Sequence, residues 1–286
     1  MRAGNLELLS QRFSETRVGK YLLMNKCNDR IILLTQYYPP ETGAPQNRLS
    51  DLAVRFKEAG YDVRVLTAKP NYPIGEIYHG FKKGFGQETV QDGVPVTHCW
   101  IYPSNKSIFH RLINYLSFVF SSIIVGLFKL PKSDLVIVES PPLFLSISGW
   151  VLSRLKGAKL VLNISDLYPD TAISLGLIKN KIIIKVFYWF EKWSYSVSTL
   201  ITGQTQGIVE SVRSRFPKKQ VFLLTNGFSS AKILNGNCYD QDNSSLKNNH
   251  EFIIGYAGII GYGQGFHNLF EVAKKLEKYP RIKFHI

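Results

Sequence analysis

The sequence predicts an α/β fold built on a mostly parallel sheet. Three observations predict it. Strand-like apolar runs alternate with helix-like segments from Arg30 onward. The first β-α-β unit closes within about forty residues, a normal size for that motif. A second strand-loop-helix-strand unit begins after residue 250, beyond a polar stretch with little periodicity.

In order, Ile31–Thr35 reads as a buried strand, followed by the turn-rich Tyr38-Pro39-Pro40-Glu41-Thr42-Gly43 and a helix over Ala44–Ala59. Leu49, Leu52, Ala53 and Phe56 share one face of that helix, and Gly60 ends it. Val63–Thr67 is the next strand, and a long loop with Gly, Pro and Tyr runs from Lys69 to Gly86. Further strands are expected at 94–101, 135–138, 159–164, 200–202 and 221–224, with helices at 108–128, 143–156, 181–198 and 206–216. Residues 228–250, rich in Asn, Ser, Asp and Gly, read as a linker. The second unit then offers a strand at 252–257, a Gly-rich turn, a helix to Lys278 and a strand at 282–286. The expected organisation is an N-terminal extension (1–29), a complete first domain (30–227), the linker (228–250) and the opening of a second domain (251–286) that stops inside a strand. Met24 stands just ahead of the first strand, and the segment before it lacks the apolar core of a secretory signal.

Composition narrows the functional classes. The 286 residues are 45% apolar and 20% charged, which is the makeup of a folded chain with a sizeable core. Cys27, Cys99 and Cys238 are far apart and odd in number, so neither a disulfide framework nor a thiolate metal site is expected, and the chain reads as cytosolic. The six histidines lack H-E-x-x-H or H-x-H spacing, so no metal site is expected. A net charge of +14 implies attraction to an anion, whether nucleic acid, a phosphorylated substrate or an acidic membrane. No RNA-binding aromatic signature, zinc finger or helix-turn-helix spacing accompanies that charge, so nucleic acid is not expected as a partner.

Four segments are candidates for chemistry or binding. Gly43 and Ala44 lie where the first strand feeds the first helix, the place where open α/β sheets bind phosphate, although a plain β-α turn explains them equally well. Asp166 stands just past a strand end and is expected to face the same crevice, whereas Asp170 suits a cap on the short helix that follows. Gly255, Gly258, Gly261, Gly263 and Gly265 open the second unit's helix with backbone suited to a phosphate but without an intervening Arg or Lys.

The fourth segment carries aromatic and basic stripes. Ile182, Val186, Trp189 and Trp193 form one stripe, and Lys181, Lys185 and Lys192 lie beside it. Either this is a membrane-docking helix, or it is a core helix whose lysines solvate its edge. Leu112–Phe128 is apolar, but with Asn114 and three serines it falls short of the roughly 20 apolar residues of a span, which favours a buried or interfacial helix.

Taken together, Leu34–Gly43, Glu139-Ser140-Pro141-Pro142-Leu143-Phe144, Asp166-Leu167-Tyr168-Pro169-Asp170 with Ser174-Leu175-Gly176, Thr225-Asn226-Gly227, and Tyr256-Ala257-Gly258 through Gln264-Gly265 resemble the family 4 retaining glycosyltransferases. The nearest likeness is to the bacterial O-antigen, capsule and exopolysaccharide amino-sugar transferases. The resemblance implies a GT-B fold with two Rossmann-like domains, the second here only begun. It implies a nucleoside-diphosphate sugar as co-substrate, no other cofactor, and no metal. It places Gly43 and Ala44 near donor phosphate or acceptor, turns Asp166 and Asn226 toward the cleft, and starts the donor site at Gly258, Gly261 and Gly265. The family's donor-gripping glutamates would fall beyond Ile286, so no catalytic residue is assigned. The implied partners are a nucleotide sugar, a polyprenyl-diphosphate-linked acceptor and the anionic inner face of the plasma membrane. A non-catalytic remnant that binds only acceptor or membrane is the alternative.

Overall fold

A computed structural model describes residues 29–82, 84–104, 108–227, 251–258 and 264–286. Of these, 29–171 with 180–227 form one compact unit, and 172–179 with 251–286 form another. The expectations for residues 1–28, for the linker 228–250 and for Gly261 and Gly263 lie outside the described residues.

The first unit is an eight-stranded sheet covered on both faces. Its elements are β1 (Arg30–Thr35), α1 (Ala44–Glu58), β2 (Asp62–Ala68), β3 (Gly86–Gln91), β4 (Val94–Cys99), α2 (Ile108–Lys129), β5 (Leu135–Ser140), α3 (Leu145–Lys156), β6 (Lys159–Ile164), the first residues of α4 (Asp170–Ser174), α5 (Lys181–Val197), β7 (Leu200–Gly203), α6 (Gln206–Arg215) and β8 (Val221–Leu223). The strand order is β3-β4-β2-β1-β5-β6-β7-β8. Every pairing is parallel except β3 with β4. The parallel α/β reading therefore holds.

Alternation of side chains builds two cores from the same strands. Ile32, Leu34, Val136, Val138, Leu160 and Leu162 point to one face, where α2, α3, α5 and α6 lie, and Phe118, Leu152, Tyr195 and Val212 meet them. Ile31, Leu33, Val63, Val65, Leu135 and Ile137 point to the other, where α1 contributes Leu49, Ala53 and Phe56.

The sequence reading is corrected at three places. The expected loop ends at Gly86, where β3 begins, in a stretch to which the sequence reading gave no element; β3 is an antiparallel partner of β4 joined through Asp92-Gly93, both at positive φ. The strand expected to reach Ile101 ends at Cys99, and the helix expected from Leu143 starts at Leu145.

Helices α2, α3 and α5 form one layer joined by hydroxyl pairs. Ser122 meets Ser148 at 2.8 Å, and Ser146 meets Ser194 at 2.7 Å, all four residues buried. The small residues on α3 also let it lie close to the sheet. A Cβ added at Gly149 would stand 2.2 Å from Val138 Cγ2. In the second unit β9 (Phe252–Gly255) and β10 (Ile282–His285) pair in parallel, connected through α7 (Phe266–Leu276).

Because Gly149 sits on a buried helix above β5, Gly149→Ala is expected to cost about 1–3 kcal/mol through overpacking. Urea denaturation checks this, and wild-type stability in the variant would contradict the close approach.

A candidate active site at the strand ends

Two strands whose connections leave in opposite directions leave a crevice at their carboxyl ends. Here they are β1, which leads through α1 to β2, and its neighbour β5, which leads through α3 to β6. The loops after β1, β5, β6, β7 and β8 all emerge on that edge. Gly43 precedes α1 without any side-chain cap, and Pro45 occupies the first turn, so the first-turn N–H groups open toward the crevice. Gly43 has an extended backbone that any residue adopts. What it spares is space, because a Cβ there would stand 2.5 Å from the buried Gln46 Oε1.

Beneath the crevice lies a polar network that the sequence reading did not assemble. Arg48, one turn into α1, donates from Nη2 to Glu139 Oε1 at 2.5 Å, with side-chain exposures of 12% and 5%. Asn163 Nδ2 donates to Glu139 Oε2 at 2.6 Å, and the Ser165 hydroxyl donates to Oε1. Thr202 in turn donates to Asn163 Oδ1 at 2.8 Å. With its amide oriented as its neighbours dictate, Gln204 accepts from Arg48 Nη1 at 2.6 Å and donates to Asn226 Oδ1 at 3.3 Å. The chain of contacts thus runs from α1 through the ends of β5, β6 and β7 to the residues after β8. The signal in the sequence was a glutamate ending the otherwise apolar Leu135–Val138 run, since a buried carboxylate requires a partner.

Of the expected site residues, Gly43, Ala44, Asp166 and Asn226 all belong to this edge. Asp166 is exposed at the end of β6, and Asn226 is exposed at the end of the network. Asp170 is the first residue of α4, accepting from the Tyr188 hydroxyl at 2.5 Å and standing 3.6 Å from Arg215. Gly258 and Gly265 belong to the second unit, where Gly265 precedes α7 in the left-handed region at φ 65°.

A second buried carboxyl fixes the near wall. Glu41 Oε1 accepts from the N–H groups of Asn71 and Tyr72 at 2.6 and 2.8 Å, which pins the loop after β2 to the loop after β1. The Tyr37 and Tyr72 rings meet edge to face at 5.7 Å along the same seam. Burial pushes the Glu41 carboxyl above its ordinary range, against hydrogen bonds that pull the other way.

On α5, Lys181, Lys185, Trp189 and Lys192 are exposed as a docking helix requires. Trp193 departs from that expectation. Its ring stacks on Phe190 at 5.2 Å and meets Trp150 of α3 at 5.9 Å, so it joins α5 to the helix layer.

Residues 43–227 match the model of the glycosyl transferase 4-like domain. The chain belongs to the glycosyl transferase 4-like family. The matched segment runs from Gly43 to Gly227 and so contains the entire Arg48 network of this glycosyl transferase 4-like domain. The chain is 27% identical over 267 residues to the putative colanic acid biosynthesis glycosyl transferase WcaI of Escherichia coli, and the alignment covers 88% of this chain and 64% of that relative. The chain thus spans less than two thirds of the relative's length.

Solved structures resemble it in fold. The catalytic domain of starch synthase IV from Arabidopsis thaliana has a TM-score of 0.54 at 10% identity, covering 91% of this chain and 74% of that one. Sucrose-phosphate synthase from Thermosynechococcus elongatus has 0.55 at 12%, covering 90% and 71%. Trehalose 6-phosphate synthase from Burkholderia multivorans has 0.57 at 10%, covering 90% and 63%. These likenesses agree with the expected GT-B fold.

Removing either partner of the Arg48–Glu139 pair strands a buried charge, so Arg48→Ala and Glu139→Ala are each expected to cost about 3–5 kcal/mol. The double variant should cost clearly less than their sum, and additive losses in urea denaturation would show the two charges to be independent. For Glu41, a folded-state pKa above the unfolded value means that stability is lost as pH rises from about 4.3, the ordinary glutamate value. Glu41→Gln keeps an acceptor for Asn71 and Tyr72 without the charge. Its stability relative to wild type should therefore improve between pH 4 and pH 7, and a relative decline would contradict the burial effect.

Proposed function

We propose that the chain acts in retaining glycosyl transfer, its first unit on the acceptor side and its second on the donor side. In this reading it moves a sugar, of the N-acetylated hexosamine class, from a nucleoside-diphosphate sugar to a polyprenyl-diphosphate-linked glycan. The setting is cell-surface polysaccharide synthesis, and the protein is cytoplasmic and peripheral at the inner face of the plasma membrane. The observation that carries the reading is the polar edge itself, with Asp166 and Asn226 presented on a braced platform inside the segment matched by the family. The likeness to a colanic acid glycosyl transferase supports a surface polysaccharide as the product class.

The chemistry is the exchange of one glycosidic bond. The bond from the anomeric carbon to the diphosphate oxygen breaks, and the acceptor hydroxyl oxygen bonds to the same face of that carbon. The hydroxyl proton passes to the departing diphosphate. What such a reaction asks of the protein is fixed dipoles aimed at the charge that develops, which a braced network supplies without reorganising. Asp166 has the exposure and the place at a strand end to bind a hydroxyl of acceptor or donor, and Gly258 and Gly265 belong to the unit expected to take the nucleotide. The alternative, a chain that binds acceptor or membrane without turnover, differs in one measurement.

That measurement is release of nucleoside diphosphate from a panel of nucleotide sugars, with membrane extract as the acceptor source. Turnover would support the transferase reading, and its absence across the panel, with acceptor binding retained, would favour the binding-only alternative. Asp166→Asn should lower kcat/KM by roughly tenfold or more, the scale of a lost charged hydrogen bond, and shift stability by no more than about 0.5 kcal/mol. Unchanged kcat/KM would remove Asp166 from the cleft.

A further inference from the structure

The layer made by α2, α3 and α5 covers one face of the sheet and turns its other side to solvent. Along α2, Phe109, Ile113, Leu116 and Phe120 follow one another at spacings of four, three and four, and are 67%, 36%, 44% and 62% exposed. The opposite side of the same helix buries Phe118, Val119, Ser121, Ser122 and Val125. By length and composition α2 would suffice to cross a membrane, yet its buried side packs on the sheet, so its role is that of a covering helix with a greasy outer edge. Trp100 and Tyr102, both partly exposed, widen that edge. The Ser121 hydroxyl donates to the Trp100 carbonyl, and the Tyr102 N–H donates to Ser117 Oγ at 2.9 Å.

The charge carried by these three helices is one-sided. Across α2, α3 and α5 there are seven Lys or Arg and a single Glu. That glutamate, Glu191, is buried and bonded to Arg215 at 2.9 Å. Arg111, Arg154, Lys181, Lys185 and Lys192 are exposed, whereas Lys129 pairs with the exposed Glu88 of β3 at 3.4 Å, so these helices present cations beside apolar rings and no exposed carboxylate of their own. A second copy docking through the same face would oppose like charges. An anionic bilayer complements both the rings and the cations.

We propose that the α2 stripe enters the boundary between headgroups and acyl chains of an anionic membrane while the lysines of α5 rest on the headgroups. The docking face is then the whole helix layer and not α5 alone. This rests on the membrane-bound acceptor of the proposed function and extends it to a helix with its own, separable contribution. The buried Ser122–Ser148 and Ser146–Ser194 pairs hold the two contact lines in fixed relation.

The test is co-sedimentation of the full chain with vesicles of phosphatidylcholine containing roughly one third phosphatidylglycerol, and with phosphatidylcholine alone. Three proteins are compared: wild type, Phe109→Ser with Phe120→Ser, and Lys185→Ser with Trp189→Ser. Thermal midpoints should match, since all four substituted side chains are exposed. Wild type should prefer the anionic vesicles, and the α2 variant should bind them about tenfold more weakly or worse. If the α2 variant binds like wild type while the α5 variant does not, α5 docking stands and the α2 proposal is overturned. If wild type binds neither vesicle, both fall. If the α2 variant changes oligomeric state with vesicle binding intact, a second copy occupies the stripe and the proposal is likewise overturned.

Discussion

The ion pair between Arg48 and Glu139 is the contact on which the functional edge depends. A carboxylate at the end of a buried strand is costly unless each oxygen is occupied, and here Arg48 and Ser165 share one oxygen while Asn163 serves the other. Ninety-one positions of sequence separate the two charges, so the pair also fixes α1, and with it the Gly43 turn, against the second half of the sheet. Through Gln204 the order reaches Asn226, which lies exposed. A buried pair of this kind contributes little to net stability compared with apolar packing. Its value is that one geometry satisfies every member and others do not.

The fold was legible because parallel strands buried on both faces are continuous apolar runs, as Ile31–Leu34 and Leu135–Val138 are. The edge strand Gly86–Gln91 was not, since it is partly exposed and reads Gly-Gln-Glu-Thr-Val-Gln. Its one sequence signal was the Asp92-Gly93 pair, the dipeptide that tight antiparallel hairpins favour. Gly43 and Asp166 could be placed from the rule that ligands bind at the loops of strand ends, and Asn226 only from the family resemblance. Arg48 and Gln204 could not, because their meaning lies in partners from distant segments. Trp193 shows the same limit. It shares the angular position of Ile182 and Val186 on α5, yet Trp150 of α3 meets it there and leaves it only partly exposed.

The two buried carboxyls of the functional edge divide the work differently. Glu139 is matched by a cation, whereas Glu41 meets backbone and amide donors only, which is why burial prevails in raising its proton affinity. One brace is an ion pair that joins sheet to helix. The other is a carboxyl held by uncharged donors, and it joins two loops.

The serine pairs between α2, α3 and α5 have a mechanical consequence. Apolar contacts between helices tolerate sliding, because one methyl replaces another at little cost. A buried hydroxyl pair has no substitute within a helical step of about 1.5 Å, so sliding would strand two polar groups away from water. Two such pairs, on opposite sides of α3, make the layer stiff to shear. A load applied at the rim of α2 is therefore delivered to α5 as displacement of a single plate.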